Sequence, residues 1–309
     1  MARVLADRGA YGLQEVTVSN ALGVHALVWT GGWSPGEAEF AIASTKDAGF
    51  DLIEIPMFEP STFDAADTKA RLDAHGLSSS YTLGLTFPND INSEDLTAVA
   101  RGRDLLLAAL GAARPTGTSY LGGVIFGAMD KYPGPATESG RRNSAAVIKE
   151  LAQEAAKDDI TIGLEFVNRY ESNLLNTVEQ TLEYMDIVDE PNVVVHADIY
   201  HMNIEENGFR TPILLAGDRL GYVHIGESNR GYLGTGTIDF DEFFGALADI
   251  DYTGPITFES FSSAVVSPHL SNTLAVWRDL WTDGMDLAVS AREFIATRME
   301  KARATRGTR

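Results

Sequence analysis

Short apolar runs alternate with longer amphipathic segments eight times along this 309-residue chain. The runs have the length and composition of buried strands, and the segments between them have the apolar spacing of helices. The candidate strands span residues 21–29, 50–57, 78–85, 119–126, 160–167, 192–199, 220–227 and 254–261. The helical patterns begin near Glu37, Asp64, Glu94, Thr137, Thr177, Thr211, Asp239 and Ser271. Because each crossover helix returns the chain to the same end of the sheet, the alternation predicts parallel strands.

Eight strand–helix units are the number that closes a parallel sheet into a (β/α)₈ TIM barrel. The span 21–297 is close to the size of about 250 residues common for such barrels, and no Pro-, Gly- or Ser-rich linker divides it. We therefore predict an α/β fold with a single barrel domain over residues 21–297, an N-terminal extension over 1–20 and a basic C-terminal tail over 298–309. The alternative is a doubly wound open sheet, but no GxGxxG turn follows the first strand candidate.

Composition narrows the classes of partner and chemistry. The chain has 24 Lys and Arg against 44 Asp and Glu, a formal charge of −20, and it has no cysteine. The absence of cysteine excludes disulfides and thiolate ligands, and the charge disfavours nucleic acid and anionic membranes, so a small neutral molecule is the expected partner. No apolar run approaches the roughly 18 residues of a membrane span, and the first ten residues lack a signal-peptide core. We expect a cytoplasmic protein.

Polar side chains occupy inward positions near the C-terminal ends of the last four strand candidates. Side chains alternate across a strand, and the apolar positions of these strands should face the helices. The opposite parity directs four side chains into the lumen: Glu165, Asp198, His224 and Glu259. This is the end where TIM-barrel enzymes keep their chemistry. Unpaired carboxylates in a poorly solvated lumen are costly, and one divalent cation would offset that cost. The oxygen-rich set with one imidazole suits Mn²⁺, Co²⁺ or Mg²⁺.

Other candidate site residues lie near the same end of the barrel. Glu171, His201 and Arg230 lie on loops that follow the fifth, sixth and seventh strand candidates. Glycines beside Arg230 would allow a ligand to approach closely, although a surface charge or a phosphate-binding loop is also consistent with the sequence. His25 and Trp29 share a parity on the first strand candidate, so both could line a sugar-sized pocket; packing in the core is the alternative.

Two further inward residues are expected to support the ligands and not to bind metal. His196 lies one inward step below Asp198 and should be a hydrogen-bonded lumen histidine. Glu54, in the second strand candidate, should enter the lumen behind the ligands, because metal ligands are usually held by a second layer of hydrogen-bonding groups.

Four motifs, in order along the second half of the chain, resemble the ketose 3-epimerases. This family includes D-tagatose, D-allulose (D-psicose) and L-ribulose 3-epimerases. The motifs are GLEFVNRYE at 163–171, HADIYHMNIEE at 196–206, HIGESNRG at 224–231 and FESF at 258–261. The likeness runs from about residue 21 to the last helix. It implies a xylose-isomerase-like barrel in which Glu165, Asp198, His224 and Glu259 bind one metal ion, usually Mn²⁺ or Co²⁺.

The resemblance also implies the reaction, which is metal-dependent epimerisation of a free ketose at C3 through a cis-enediolate. Inversion needs an acid/base group on each face of the substrate, and Glu165 and Glu259 suit that division. Glu171, His201 and Arg230 match groups that hold the O1 and O2 end of the sugar. Many members have a Trp after the fourth strand where this chain reads VIFGAM at 124–129, which predicts a different contact at the far end. Self-association as a homodimer or homotetramer is expected.

Other functions remain consistent with these residues. A metal-dependent aldose–ketose isomerase on the same barrel would use the same enediol chemistry between C1 and C2. A non-catalytic sugar-binding barrel would use the metal only to stabilise its structure. A metal-dependent phosphodiesterase or DNA-repair nuclease would be expected to have more His and Asp ligands and a basic rim, and the acidic charge argues against it.

Overall fold

Eight parallel strands close into a barrel in the computed structural model, which describes residues 19–306. The strands are β1 Leu22–His25, β2 Leu52–Pro56, β3 Ser78–Leu85, β4 Tyr120–Ala128, β5 Thr161–Glu165, β6 Val193–Asp198, β7 Leu220–Ile225 and β8 Ile256–Phe258. Each strand pairs in parallel with the next, and β8 pairs with β1. The closed barrel confirms the predicted fold class and excludes the doubly wound open sheet.

Helices cover the outside of the barrel. They are α1 Pro35–Asp47, α2 Ala65–His75, α3 Leu96–Ala113, α4 Glu138–Ala155, α5 Val178–Val188, α6 Ile199–Glu205, α7 Arg210–Ala216, α8 Phe240–Asp249, α9 Pro268–Thr273 and α10 Gly284–Arg306. Asp64, Thr137, Thr177 and Asp239 each accept a hydrogen bond from a first-turn amide, and these caps explain why four of the helices begin where the sequence predicts. Within residues 19–306, no helix combines the length and the apolar content needed to cross a membrane.

The last helix differs from the prediction. The pattern near Ser271 belongs to the short α9, and the long closing helix α10 begins only at Gly284. The two do not merge, because Ala275 adopts a left-handed backbone conformation with φ of 53°. Helix α10 then continues to Arg306, so residues 298–306 of the predicted basic tail are helical. Residues 1–18, most of the predicted N-terminal extension, and residues 307–309 lie outside the described residues.

Apolar side chains pack on both sides of the strands. Outward residues such as Ile53, Ile162 and Val195 are fully buried in the main core. Inside the barrel, the rings of Tyr120 and Tyr222 stack with centroids 4.2 Å apart. The lumen is therefore filled below its C-terminal end, as in other barrels of eight strands. Polar groups at that end therefore lie above a packed, buried interior.

Two glycines of α3 should respond oppositely to substitution by alanine. A Cβ on Gly102 would lie 2.1 Å from the carbonyl oxygen of Asn89, whereas a Cβ on Gly111 would meet nothing within 4 Å. We expect Gly102→Ala to lower the free energy of unfolding by about 1–3 kcal/mol through overpacking. Gly111→Ala should raise it by roughly 0.5–1 kcal/mol, because alanine loses less entropy in a helix. Urea unfolding measures both, and equal stabilities would contradict the close approach of α3 to the Asn89 backbone.

Candidate metal centre and cavity

The four predicted ligands meet at the C-terminal end of the barrel. Glu165 and Asp198 end β5 and β6, His224 lies on β7, and Glu259 directly follows β8. All four side chains are buried, and one candidate ligand atom from each lies within 4.8 Å of the others. Nδ1 of His224 is 3.2 Å from Oε1 of Glu165. The same atom is 3.7 Å from Oδ2 of Asp198 and from Oε1 of Glu259. This buried cluster could hold a metal ion.

The side chain of Asp198 gives the strongest indication that a cation belongs here. Its Oδ1 accepts hydrogen bonds from the amides of Tyr200 and His201 at 2.6 and 3.4 Å, and so caps α6. Its Oδ2 is buried and has no hydrogen-bond partner within the described residues. Leaving a buried carboxylate oxygen without a donor is unfavourable. A divalent cation among the ligands would satisfy it.

Burial and neighbouring charges separate the proton affinities of the three carboxylates. Burial raises the pKa of Glu259 to about 7, although nearby His224 and Arg230 oppose the shift. Burial likewise raises the pKa of Glu165. Burial opposes ionisation of Asp198 as well, but the positive charges around it hold its pKa below the usual range. Without a cation, the two glutamates are therefore the carboxyls of the cluster that most readily take up a proton.

The second nitrogen of His224 faces the interior of the barrel. Nε2 lies 3.0 and 2.9 Å from the two carboxylate oxygens of Glu54, which is fully buried on β2. His196 packs its ring against His224 with centroids 4.1 Å apart, and its Nδ1 is hydrogen-bonded to the hydroxyl of Tyr120 at 2.9 Å. Both residues lie in the lumen behind the ligands, as the sequence predicts.

A cavity of about 700 Å³ opens above the cluster. Its floor carries Glu165 and Glu259, together with His25, Glu171, His201 and Arg230. Its other lining residues are mainly apolar and include Met57, Leu83, Leu85, Phe87, Leu105, Val124, Met129 and Leu274. Val124 and Met129 belong to the VIFGAM segment at 124–129, where the resemblance predicts a different contact at the far end of the sugar. The cavity therefore combines polar groups of the cluster and its neighbours with a largely apolar lining.

Arg230 is not a surface charge. Only 8% of its surface is exposed, and Nη1 is hydrogen-bonded to Oε2 of Glu259. Its guanidinium carbon lies 3.8 Å from the ring centroid of Tyr200. The backbone of Arg230 is left-handed, with φ of 60°, and the hydroxyl of Ser260 donates to its carbonyl at 2.6 Å. These contacts hold the positively charged guanidinium of Arg230 at the edge of the cavity floor.

Asn168 connects two other predicted residues, His201 and Glu171. Its backbone amide donates to Nδ1 of His201 at 3.1 Å, so the ring proton of neutral His201 lies on Nε2. Its side-chain nitrogen donates to Oε1 of Glu171 at 2.7 Å. Strand parity does not identify Asn168, because this residue lies in the loop after β5. It does belong to the first of the four motifs.

The prediction that Trp29 lines the pocket is wrong. Strand β1 ends at His25, and a 3₁₀ turn over Ala26–Val28 removes the strand alternation on which that prediction relied. The indole nitrogen of Trp29 donates to the hydroxyl of Thr45 on α1 at 3.0 Å, and the ring packs in the core. His25 does line the cavity. Its Nδ1 accepts a hydrogen bond from the amide of Leu27 at 3.1 Å.

Comparison with known proteins agrees with the four motifs. The family described as xylose isomerase-like TIM barrel matches residues 42–288. An L-ribulose 3-epimerase of Methylomonas sp. (strain DH-1) is 54% identical over 276 residues, which are 89% of this chain and 96% of the relative. A ketose 3-epimerase of Arthrobacter globiformis is 46% identical over 278 residues, which are 90% of this chain and 96% of the relative.

Solved structures agree as well. The crystal structure of a D-allulose 3-epimerase from Methylomonas sp. in complex with D-allulose has a TM-score of 0.89 and 53% identity, covering 90% of this chain and 97% of that one. A structure of an L-ribulose 3-epimerase has a TM-score of 0.91 at 39% identity, covering 94% of this chain and 97% of that one. The fold, the polar cluster and these relatives together show that the chain belongs to the ketose 3-epimerases, within the xylose isomerase-like TIM barrel family.

Proposed function

We propose that this protein inverts the configuration at C3 of free ketoses of the D-allulose/D-fructose, D-tagatose or L-ribulose type. The observation that carries the proposal is the pair of buried glutamates, Glu165 and Glu259, at the floor of a sugar-sized cavity and within one cluster of metal-binding side chains. The relatives support it, because their names include L-ribulose 3-epimerase and D-allulose 3-epimerase.

One divalent ion, Mn²⁺ or Co²⁺ first and Mg²⁺ next, fits the donor set of the cluster. The residues that would hold it are Glu165, Asp198, His224 and Glu259. When bound, the ion would supply Lewis-acid stabilisation of the negative charge that develops on the substrate oxygens. Asp198 contributes a carboxylate that stays ionised, because the charges around it hold its pKa low despite burial.

The two glutamates would carry the proton. Glu165 ends β5 and Glu259 follows β8, three strands further around the closed barrel, and a ketose between them would present one face of C3 to each. One glutamate removes the C3 proton, which leaves a cis-enediolate that is planar at C3, and the other returns a proton to the opposite face. The epimer that is bound decides which glutamate acts first.

The remaining polar groups of the floor would orient the sugar. Arg230, His201 and Glu171 lie beside the cluster, where they would hold the O1 and O2 end of the ketose, and His25 lines the same cavity. The apolar lining residues would contact the end of the sugar remote from C3. In this arrangement polar groups contact the reacting end of the sugar, and apolar side chains contact the remote end.

Replacing Arg230 by Ala should weaken ketose binding more than it slows the reaction. We expect KM to rise about 10- to 100-fold, as for the loss of a charged hydrogen bond worth roughly 1.5–3 kcal/mol, with a smaller change in kcat. Steady-state kinetics on D-allulose and L-ribulose measure this. Arg169→Ala is the matched control, because Arg169 is exposed and pairs with Glu205, and its KM should stay within about twofold of wild type. An unchanged KM in Arg230→Ala would leave this residue without a substrate role.

A panel of free ketohexoses and ketopentoses in D₂O, with added Mn²⁺ or Co²⁺, tests the reaction itself. Product chromatography identifies the epimers, and NMR locates the incorporated deuterium. We expect deuterium at C3. Deuterium only at C1 or C2 would show an aldose–ketose isomerase, and no product from any ketose would favour a barrel that only binds sugar.

A further inference from the structure

The cluster contains a single imidazole, and its orientation matters more than that of the carboxylates. A carboxylate can offer either oxygen to a cation, whereas His224 has one nitrogen, Nδ1, facing the other three candidate ligands. A metal-binding imidazole must keep a lone pair on the coordinating nitrogen, so its proton has to lie on the other one. Whatever fixes the proton on Nε2 of His224 therefore helps to decide how well the cluster binds a cation.

Glu54 is the group that faces this nitrogen. Both of its carboxylate oxygens lie within hydrogen-bond distance of Nε2 of His224, at 3.0 and 2.9 Å. The side chain is completely buried on β2, and it comes from 170 positions away in the sequence. The described residues form two groups that could hold a metal ion, the four-residue cluster and the set Glu165, His196 and His224, and Glu54 belongs to neither. Its contacts with the cluster pass through His224.

The surrounding groups leave the carboxylate of Glu54 in one orientation. The hydroxyl of Thr82 donates to Oε1 at 2.9 Å, and the hydroxyl of Tyr222 donates to Oε2 at 2.8 Å. Each of these partners supplies a proton, so Glu54 acts as the acceptor in both contacts. On the other side of the imidazole, the ring of His196 packs edge-on against His224 with centroids 4.1 Å apart. The imidazole of His224 is thus held by the carboxylate of Glu54 at Nε2 and by the packed ring of His196.

We propose that Glu54 is a positioning residue that accepts the Nε2 proton of His224 and so keeps the Nδ1 lone pair directed at the cation. The inference rests on the proposed metal-dependent function. Carboxylates behind metal-bound histidines fix the tautomer and raise the basicity of the ligand, and losing one typically costs 10- to 100-fold in metal affinity. Glutamine has nearly the same size, but its NH₂ group can turn towards Nε2, and the imidazole proton then moves to Nδ1, facing the carboxylates.

Mn²⁺ titration calorimetry on metal-free proteins tests the proposal. For Glu54→Gln we expect the dissociation constant to rise about 10- to 100-fold. The matched control is Thr82→Val, which removes a different hydrogen bond to the same carboxylate and should change the constant by less than about threefold. At Mn²⁺ concentrations that saturate Glu54→Gln, kcat should return to within severalfold of wild type, because Glu54 is fully buried and does not line the cavity. Equal affinities in wild type and Glu54→Gln would overturn the proposal, and so would an equal loss in Thr82→Val.

A second measurement on the wild-type protein applies even if Glu54→Gln does not fold. Protein labelled with ¹⁵N-histidine and loaded with diamagnetic Mg²⁺ should show His224 protonated at Nε2 and without a proton at Nδ1. A proton on Nδ1 of His224 would overturn the proposal. Failure of the wild-type protein to bind Mn²⁺ would instead contradict the proposed function, so the two failures are distinguishable.

Discussion

Changing Glu259 to Gln should reduce C3 epimerisation by about 10²- to 10⁴-fold, the usual contribution of a general acid or base. Gln has nearly the same volume and keeps an oxygen that can face a cation, but it cannot take up or release a proton at the reaction pH. The fold should persist, because Glu259 follows β8 at the cavity floor and is not part of the packed core. Epimer formation from D-allulose, followed by chromatography beside a melting curve, measures both effects.

Two further variants test the role of Glu259. Glu165→Gln should give a loss of similar size, because inversion requires a group on each face of C3. Glu150→Gln is the control, since Glu150 lies on the outside of α4 and pairs with Arg103 there, and its rate should stay within about twofold of wild type. A wild-type rate in Glu259→Gln would contradict the two-glutamate scheme, even if Arg230→Ala behaved as expected.

Removing the metal should abolish turnover and lower thermal stability together. Without a cation, three buried carboxylates lie in one small volume and the Oδ2 atom of Asp198 has no hydrogen-bond partner among the described residues. After dialysis against EDTA we expect activity to fall below about 1% of the starting value, because the Lewis-acid contribution is worth several kcal/mol. Added Mn²⁺ or Co²⁺ should restore it.

Metal removal should also lower the free energy of unfolding by an amount that can be estimated. A ligand present at about 100 times its dissociation constant stabilises the folded protein by about 2.7 kcal/mol. For a protein of this length that is a shift of several degrees in Tm, which differential scanning calorimetry resolves. Full turnover after chelation would exclude a metal-dependent reaction. A lower Tm with no activity on any ketose before or after chelation would indicate a structural ion.

Strand parity was sufficient to find the cluster. Glu165, Asp198, His224 and Glu259 are predictable because side chains alternate with a period of two and because parallel strands bring their C-terminal ends to one rim of the barrel. Neither rule depends on the details of packing. The same reasoning failed for Trp29, because the backbone leaves the strand conformation after His25 and the alternation no longer applies.

The long C-terminal region shows a second limit of sequence reasoning. A helical pattern near Ser271 is present, but the left-handed residue Ala275 ends α9, and α10 starts only at Gly284. Alanine carries no sequence signal for such a conformation, in contrast to the glycine that ends α2. Helix boundaries of this kind depend on how the segment packs, and the periodicity alone does not contain that information.

The amino-acid sequence by itself determined the barrel, the inward direction of four side chains that could hold a metal ion, and the family, because periodicity and local motifs are properties of short stretches of chain. Tertiary structure alone decided that His224 is the ligand that Glu54 contacts, that Asn168 connects His201 with Glu171, and that Arg230 is buried against Glu259. Most of these contacts join residues tens of positions apart or more. Their partners are selected by strand register and loop packing, so the partners become known only when the closed barrel is in place.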